Sequence, residues 1–312
     1  MIPASAVIGS GAVMRGCVVC LFLMGCGDFM LNMTVDSTAP VMKRASASFD
    51  AESDIQLARE ALPGNIKTID GFLAARPENA DLLELTGLSY VQYAFGFLED
   101  DLEAMPPDDP RRPALVARCT DLYERAYDIG LRHIALDRAE VRDIARKGRL
   151  DALAPALKKV GKDAVPGLNW AGLGLASAIN LHRDDIDRVA ELPKAMAMLE
   201  RAYELDHGYY NYNAALSLAV IYASQGKSVG GDPDKAHKLF DEVIKQTQGR
   251  YLMAQVLYAR YYATVTLDRA LYEKTLKQVL ATPGAIWPEQ RLANELARRR
   301  AARYLAMADD LF

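Results

Sequence analysis

The sequence predicts an all-α fold of helical hairpins stacked side by side, and three observations carry that prediction. Apolar residues recur at helical spacing over most of the 312 residues, and no segment shows sustained strand alternation. The stretch from Asn211 to Gln246 reads as two helices around a Gly-rich break. Ala215, Leu218, Ala219 and Tyr222 share one face of the first, and Ala236, Phe240 and Val243 share one face of the second. Between them, Asp232 suits an N-cap and Pro233 a first helical turn. Such a hairpin cannot bury its apolar stripe alone, so neighbouring hairpins must cover it.

The elements follow in chain order. Residues 1–25 read as a signal peptide: Arg15 is the only charge, and the apolar run from Gly16 to Gly25 is too short to span a bilayer. Leu23-Met24-Gly25-Cys26 resembles a bacterial lipobox, which makes Cys26 the candidate lipidation site. An ordinary secretory signal with an incidental cysteine is the alternative, and either Met1 or Met14 can start the chain. Residues 26–49 lack sustained periodicity and read as a flexible tether. The body spans 50–312. Asp50 is expected to cap a helix over 51–61, and Pro63 to open another over 63–75. An apolar helix over 80–104 carries Leu83, Gly87 and Tyr90, and its partner over 112–136 carries Cys119, Tyr123 and Ala126.

Residues 137–160 read as two short helices outside the repeat. Trp170, Leu173 and Gly174 then give W-x2-L-G, with Ala195, Leu199 and Ala202 on the following helix. This is the pattern of a tetratricopeptide (TPR) hairpin. Ala254, Leu257 and Tyr261, then Asp268 as a cap and Ala270, form the most regular pair. A final helix over 288–307 closes the array, with Arg298, Arg299, Arg300 and Arg303 expected on a solvated outer face. The whole reads as a short TPR-like superhelix with extra helices.

Composition limits the functions open to the chain. Hydrophobic residues make 51% and charged residues 25%, ordinary for a protein with a packed core. A net charge of −4 gives no basic field for nucleic acid. The four histidines, His133, His182, His207 and His237, form no i, i+4 pair, so no metal or other cofactor is expected. No nucleophile motif or phosphate loop is present, and Gly226-Lys227-Ser228 is only a fragment of one, so no enzyme is predicted. Glu99, Asp100 and Asp101 are consecutive and read as a solvated helix face.

Two clusters remain as candidate contact sites for a ligand or partner. Tyr209, Tyr210, Asn211, Tyr212 and Asn213 step around a helix by about 100° each, so they cannot all face one core. They read either as a turn with one or two packed rings or as an aromatic and amide lining. Arg260, flanked by Tyr258, Tyr261 and Tyr262, either pairs with a carboxylate of a neighbouring helix or receives an anionic group.

The chain also resembles the T-component proteins of TRAP transporter systems, the TatT family, over roughly residues 50–312. The matching stretches are Asn79-Ala80-Asp81-Leu82-Leu83, the run Ser89 to Asp100, Gly230-Gly231-Asp232-Pro233 with Ala236 and Phe240, the run Leu257 to Tyr262, and the run Arg291 to Ala297. Tyr90 and Tyr93, within the second stretch, join the candidate contacts. The resemblance implies a periplasmic lipoprotein, anchored by its N-terminal lipid alone, in a tripartite ATP-independent transport system. Gly27 after the lipobox matches the pattern for passage to the outer membrane. The implied partner is the solute-binding P subunit, the implied cargo a hydrophobic or organic-acid ligand, and the implied assembly an oligomer such as a trimer. A TPR scaffold lipoprotein of an envelope assembly complex is the alternative.

Overall fold

The computed structural model describes the chain path of residues 11–226 and 230–312, and the side chains of those from residue 30 onward. Lys227 and Ser228 of the phosphate-loop fragment, and the side chain of Cys26, lie outside the described residues. Every regular element among the described residues is helical.

The first helix, α1 (Gly11–Asp50), differs from expectation. From residue 30 the segment read as a tether is helical and docked. Val35 and Ala39 are buried. Arg76 donates two bonds to Asp36, at 3.0 and 2.8 Å, and Lys43 pairs with Asp81 and Glu84. Val35, Ala39, Met42 and Phe49 recur at helical intervals, a stripe obscured by the Ser, Thr and Pro residues between them. Asp50 therefore ends α1 instead of capping the next helix.

That cap falls to Asp54, which accepts from the backbone N–H groups of Gln56 and Leu57. One helix, α2 (Ile55–Ala75), then runs through Pro63 where two were expected. An interior proline costs about 3 kcal/mol. The unbroken stripe Ala58, Leu62, Ile66, Ile69 and Leu73 offsets it by burial.

Asn79 caps α3 (Ala80–Tyr93), which continues through a π-helical turn (Ala94–Leu98) into α4 (Glu99–Ala104). Next come α5 (Arg112–Ala135), the two short helices α6 (Ala139–Lys147) and α7 (Leu150–Leu157), and α8 (Val165–Asn180). The backbones of α5 and α8 nearly touch. A Cβ on Gly130 would lie 2.5 Å from the Ala171 nitrogen, and one on Gly167 would lie 2.7 Å from the Gly130 carbonyl oxygen. Only glycine permits that approach. Trp170 is buried against Gly87 of α3, where an added Cβ would come within 3.1 Å of it.

The short α9 (Ile186–Val189) precedes α10 (Leu192–Leu205). The hairpin of α11 (Tyr209–Ser224) and α12 (Pro233–Gln246) forms as the sequence indicates. Asp232 caps α12, accepting from the Lys235 N–H at 3.0 Å. A second π-helical turn (Tyr258–Ala263) extends α13 (Leu252–Leu257). Asp268 caps α14 (Arg269–Ala281), and α15 (Arg291–Ala306) and α16 (Ala308–Leu311) finish the chain.

The array closes on itself. Helix α15 packs on α13 and α14 and also meets α1 and α2. Its arginines correct two expectations. Arg300 is 1% exposed, lies 4.1 Å over the Phe95 ring and bonds to Asp100, itself 4% exposed. Arg303 reaches Asp100 at 2.8 Å and Glu103, while Arg299 lies 2.6 Å from the second Asp100 oxygen. Three of the four arginines expected in solvent thus meet Asp100, whereas Asp101 pairs with Arg59. Arginine at α15's predicted polar positions finds carboxylates two hundred residues away, which helical spacing alone cannot show.

Breaking a buried pair leaves an uncompensated charge, which costs about 3–5 kcal/mol. Arg300→Met should therefore lower the unfolding free energy in urea by roughly that amount, whereas Arg298→Met, on the half-exposed side, should change it by less than about 1 kcal/mol.

Candidate functional site

The helices line a partly open cavity of about 290 Å³. Its walls come from the end of α1, from α3 and its π-turn, and from α5, α8, α11, α13 and α15. The surface is mainly apolar, with Leu88, Phe95, Leu173, Leu216, Met253 and Leu292 among the lining side chains. Both π-helical turns contribute, through Phe95, Gly96 and Phe97 in one and Tyr261 in the other. Such turns widen a helix by one residue and often occur where a helix borders a functional site.

Two carboxyl groups enter this apolar space, each tied to a tyrosine by one oxygen. Asp50 Oδ1 accepts from Gln92 Nε2 at 2.8 Å and from the Tyr210 hydroxyl at 3.5 Å. Gln92 also donates to the Tyr210 oxygen at 2.9 Å, which closes a three-membered network. Glu99 Oε1 accepts from the Tyr123 hydroxyl at 2.7 Å. Burial disfavours the charged form of each acid. Asp50 is pushed from its ordinary 3.8 up to about 6, with desolvation outweighing the bonds from Gln92 and Tyr210. Glu99 is pushed from 4.5 up to about 7 by burial, against the opposing field of Arg300 and the Tyr123 bond. The same burial raises the Tyr123, Tyr210 and Tyr251 hydroxyls, so all three stay neutral donors.

The Tyr210 ring is placed by an unusual backbone. Tyr210, Asn211 and Tyr212 all have positive φ, at 42°, 58° and 62°, a left-handed turn with no glycine in it. Each such residue costs on the order of 1 kcal/mol or more. The turn sets the Tyr209 and Tyr210 rings edge-on to Trp170, at centroid distances of 6.2 and 5.1 Å. The regular helix begins only after Tyr212, with Asn213 facing the cavity and its Oδ1 buried without a hydrogen-bond partner.

The structure separates the candidate residues. Tyr210 and Asn213 line the cavity. Tyr209 lies behind the wall and donates to Glu84 at 2.9 Å. Asn211 and Tyr212 form the turn and do not reach the cavity. Tyr90 donates to Asp70 at 2.8 Å, and Tyr93 accepts from Arg118 at 3.1 Å, both on the side of α3 away from the cavity. Arg260 neither pairs with a carboxylate among the described residues nor faces the cavity; its guanidinium lies 5.5 Å over the Tyr304 ring.

Asp50, Gln92, Glu99 and Tyr123 were missed. Gln92 and Glu99 sit seven residues apart, two turns along one helix, and that spacing was the available signal. No grouping of His, Cys, Asp and Glu that could hold a metal occurs among the described residues, and Cys119 is buried, with its thiol pushed up to about 12.

For both acids the folded pKa lies above the unfolded value. Their neutral forms therefore stabilise the fold fully below about pH 4, and that contribution is lost as pH rises through about 6 to 7. Glu99→Gln should be more stable than the parent at pH 8, by an amount on the order of 1–3 kcal/mol, with no difference at pH 4. Adding Asp50→Asn should flatten the remaining slope in thermal melts between those values.

With this geometry in view, the family described as the TRAP transporter T-component matches residues 51–312. An uncharacterized protein of Treponema pallidum (strain Nichols) is 24% identical over 265 residues, covering 85% of this chain and 82% of the relative.

Proposed function

The chain belongs to the TRAP transporter T-component family, and on that premise we propose that it docks the solute-binding P subunit of such a system and holds or passes an apolar molecule in its central cavity. The observation that carries the ligand half of this reading is the cavity itself. A concave, mainly apolar space with a few convergent polar groups is the usual form of a small-molecule site. Docking of the P subunit is supported by the match to a transporter-component family, and assembly into a trimer is part of the same proposal.

Cys26 is proposed as the acylated residue that tethers the body to the outer membrane from the periplasmic side. No helix among the described residues is long and apolar enough to cross a membrane. The path from Cys26 to Val35, the first buried side chain of α1 among those described, is helical. Over nine residues it rises roughly 13 Å. The connection then acts as a short stalk that holds the body near the lipid surface, instead of a loose leash.

Nile red, a neutral apolar dye, should bind the purified chain with a blue-shifted emission. Ser217→Phe, which fills the cavity from α11, should weaken that binding at least tenfold. The same variant should still capture the cognate P subunit in a pull-down, since its change is internal. Failure of the parent chain to capture that subunit would overturn the docking half. Unchanged dye binding in Ser217→Phe would overturn the ligand half.

A further inference from the structure

The polar groups of the cavity define which kind of apolar molecule it takes. Each of the two carboxyls uses one oxygen within the protein and leaves the other without a hydrogen bond among the described residues: Oδ2 of Asp50 and Oε2 of Glu99. Asn213 adds a third acceptor, its buried Oδ1. The buried Trp170 Nε1–H in the same lining is an unpaired donor, and with the two acids ionised the open valences at Asp50, Glu99 and Asn213 are acceptors. They call for a donor on the ligand, because a buried acceptor left unpaired costs more than its bond would return.

Among the described residues, one cationic side chain, Arg183, lines the same space. Arg300, the guanidinium nearest Glu99 in effect, is consumed by Asp100 and the Phe95 carbonyl and does not line the cavity. Arg183 does line it, but it is exposed and bonds to Asn180 at the rim. A carboxylate brought inside would face two buried acids with no counter-ion, and desolvating a lone anion beside like charge is strongly unfavourable.

The two acids are also spaced. Gln92, which orients Asp50, and Glu99 lie seven residues apart on one helix wall, roughly 10 Å along its axis. Phe95 and Gly96 lie between them and line the cavity. The left-handed turn that sets Tyr210 fixes one end of this wall, and strain of that kind persists where it serves a site.

We propose that the cavity selects an elongated apolar molecule ending in a hydroxyl or amide donor, received by Asp50 within the Gln92–Tyr210 network, and rejects organic-acid anions. This rests on the reading of the cavity as a ligand site. It narrows the cargo from hydrophobic or organic-acid compounds to uncharged donors.

The test is displacement of Nile red from the full chain at pH 8 by two probes of equal length, 1-decanol and decanoate. The alcohol should displace the dye at a concentration at least tenfold lower. Asp50→Asn, which removes the charge and keeps the shape, should narrow that ratio to within about threefold, and Arg183→Gln should leave it unchanged. If Asp50→Asn fails to fold, the ratio for the parent chain decides alone. Equal displacement by both probes would overturn the inference while leaving the cavity reading intact. Tighter displacement by decanoate that is lost in Arg183→Gln would also overturn it, by placing the head group at the rim. Absence of dye binding or of displacement by either probe would overturn both.

Discussion

The last helix meets the start of the body through its packing on α1 and α2 and through an ionic cluster, that of Arg299, Arg300 and Arg303 on α15 with Asp100 and Glu103 at the far end of the α3 wall. There the last helix returns to the first, and the inner surface forms a partly open chamber. The contact is not a large source of net stability, because desolvating both partners offsets most of their attraction. Its effect is on specificity. A guanidinium stacked on Phe95 and bonded to Asp100 accepts only one register between helices two hundred residues apart.

The chamber inherits its chemistry from that arrangement. Burial is what pushes Asp50 up to about 6 and Glu99 up to about 7, and α15 and the end of α1 are part of the wall around them. Two deviations from ideal helix shape the interior. The π-turns at Ala94–Leu98 and Tyr258–Ala263 present extra side chains to the cavity, and the left-handed turn at Tyr210–Tyr212 carries one ring into it. These are local departures from good helical geometry, and they lie on the cavity wall, where a site would be expected to store strain.

Features governed by near neighbours in sequence were legible. The caps at Asp232 and Asp268 and the helical stripes follow from spacing and residue type. The hairpin order followed too. What was not legible depends on distant packing. Asp50 reads as a plausible cap, and only the approach of Tyr210, 160 residues later, makes it a cavity group. The tether reading of 26–49 failed beyond residue 30 because four apolar residues at helical intervals were diluted by Ser, Thr and Pro. The tyrosine run was correctly seen as too crowded for one helix face. Its resolution, a left-handed turn without glycine, has no sequence signature, because propensity alone argues against it.

A crystal structure under xenon pressure tests the chamber most directly, since xenon enters apolar cavities and is located by its anomalous signal. The account predicts a xenon peak among Phe95, Leu216 and Leu292, with Arg300 buried on Asp100. A chamber holding only ordered water, or α15 standing away from α3 with Arg300 in solvent, would contradict it.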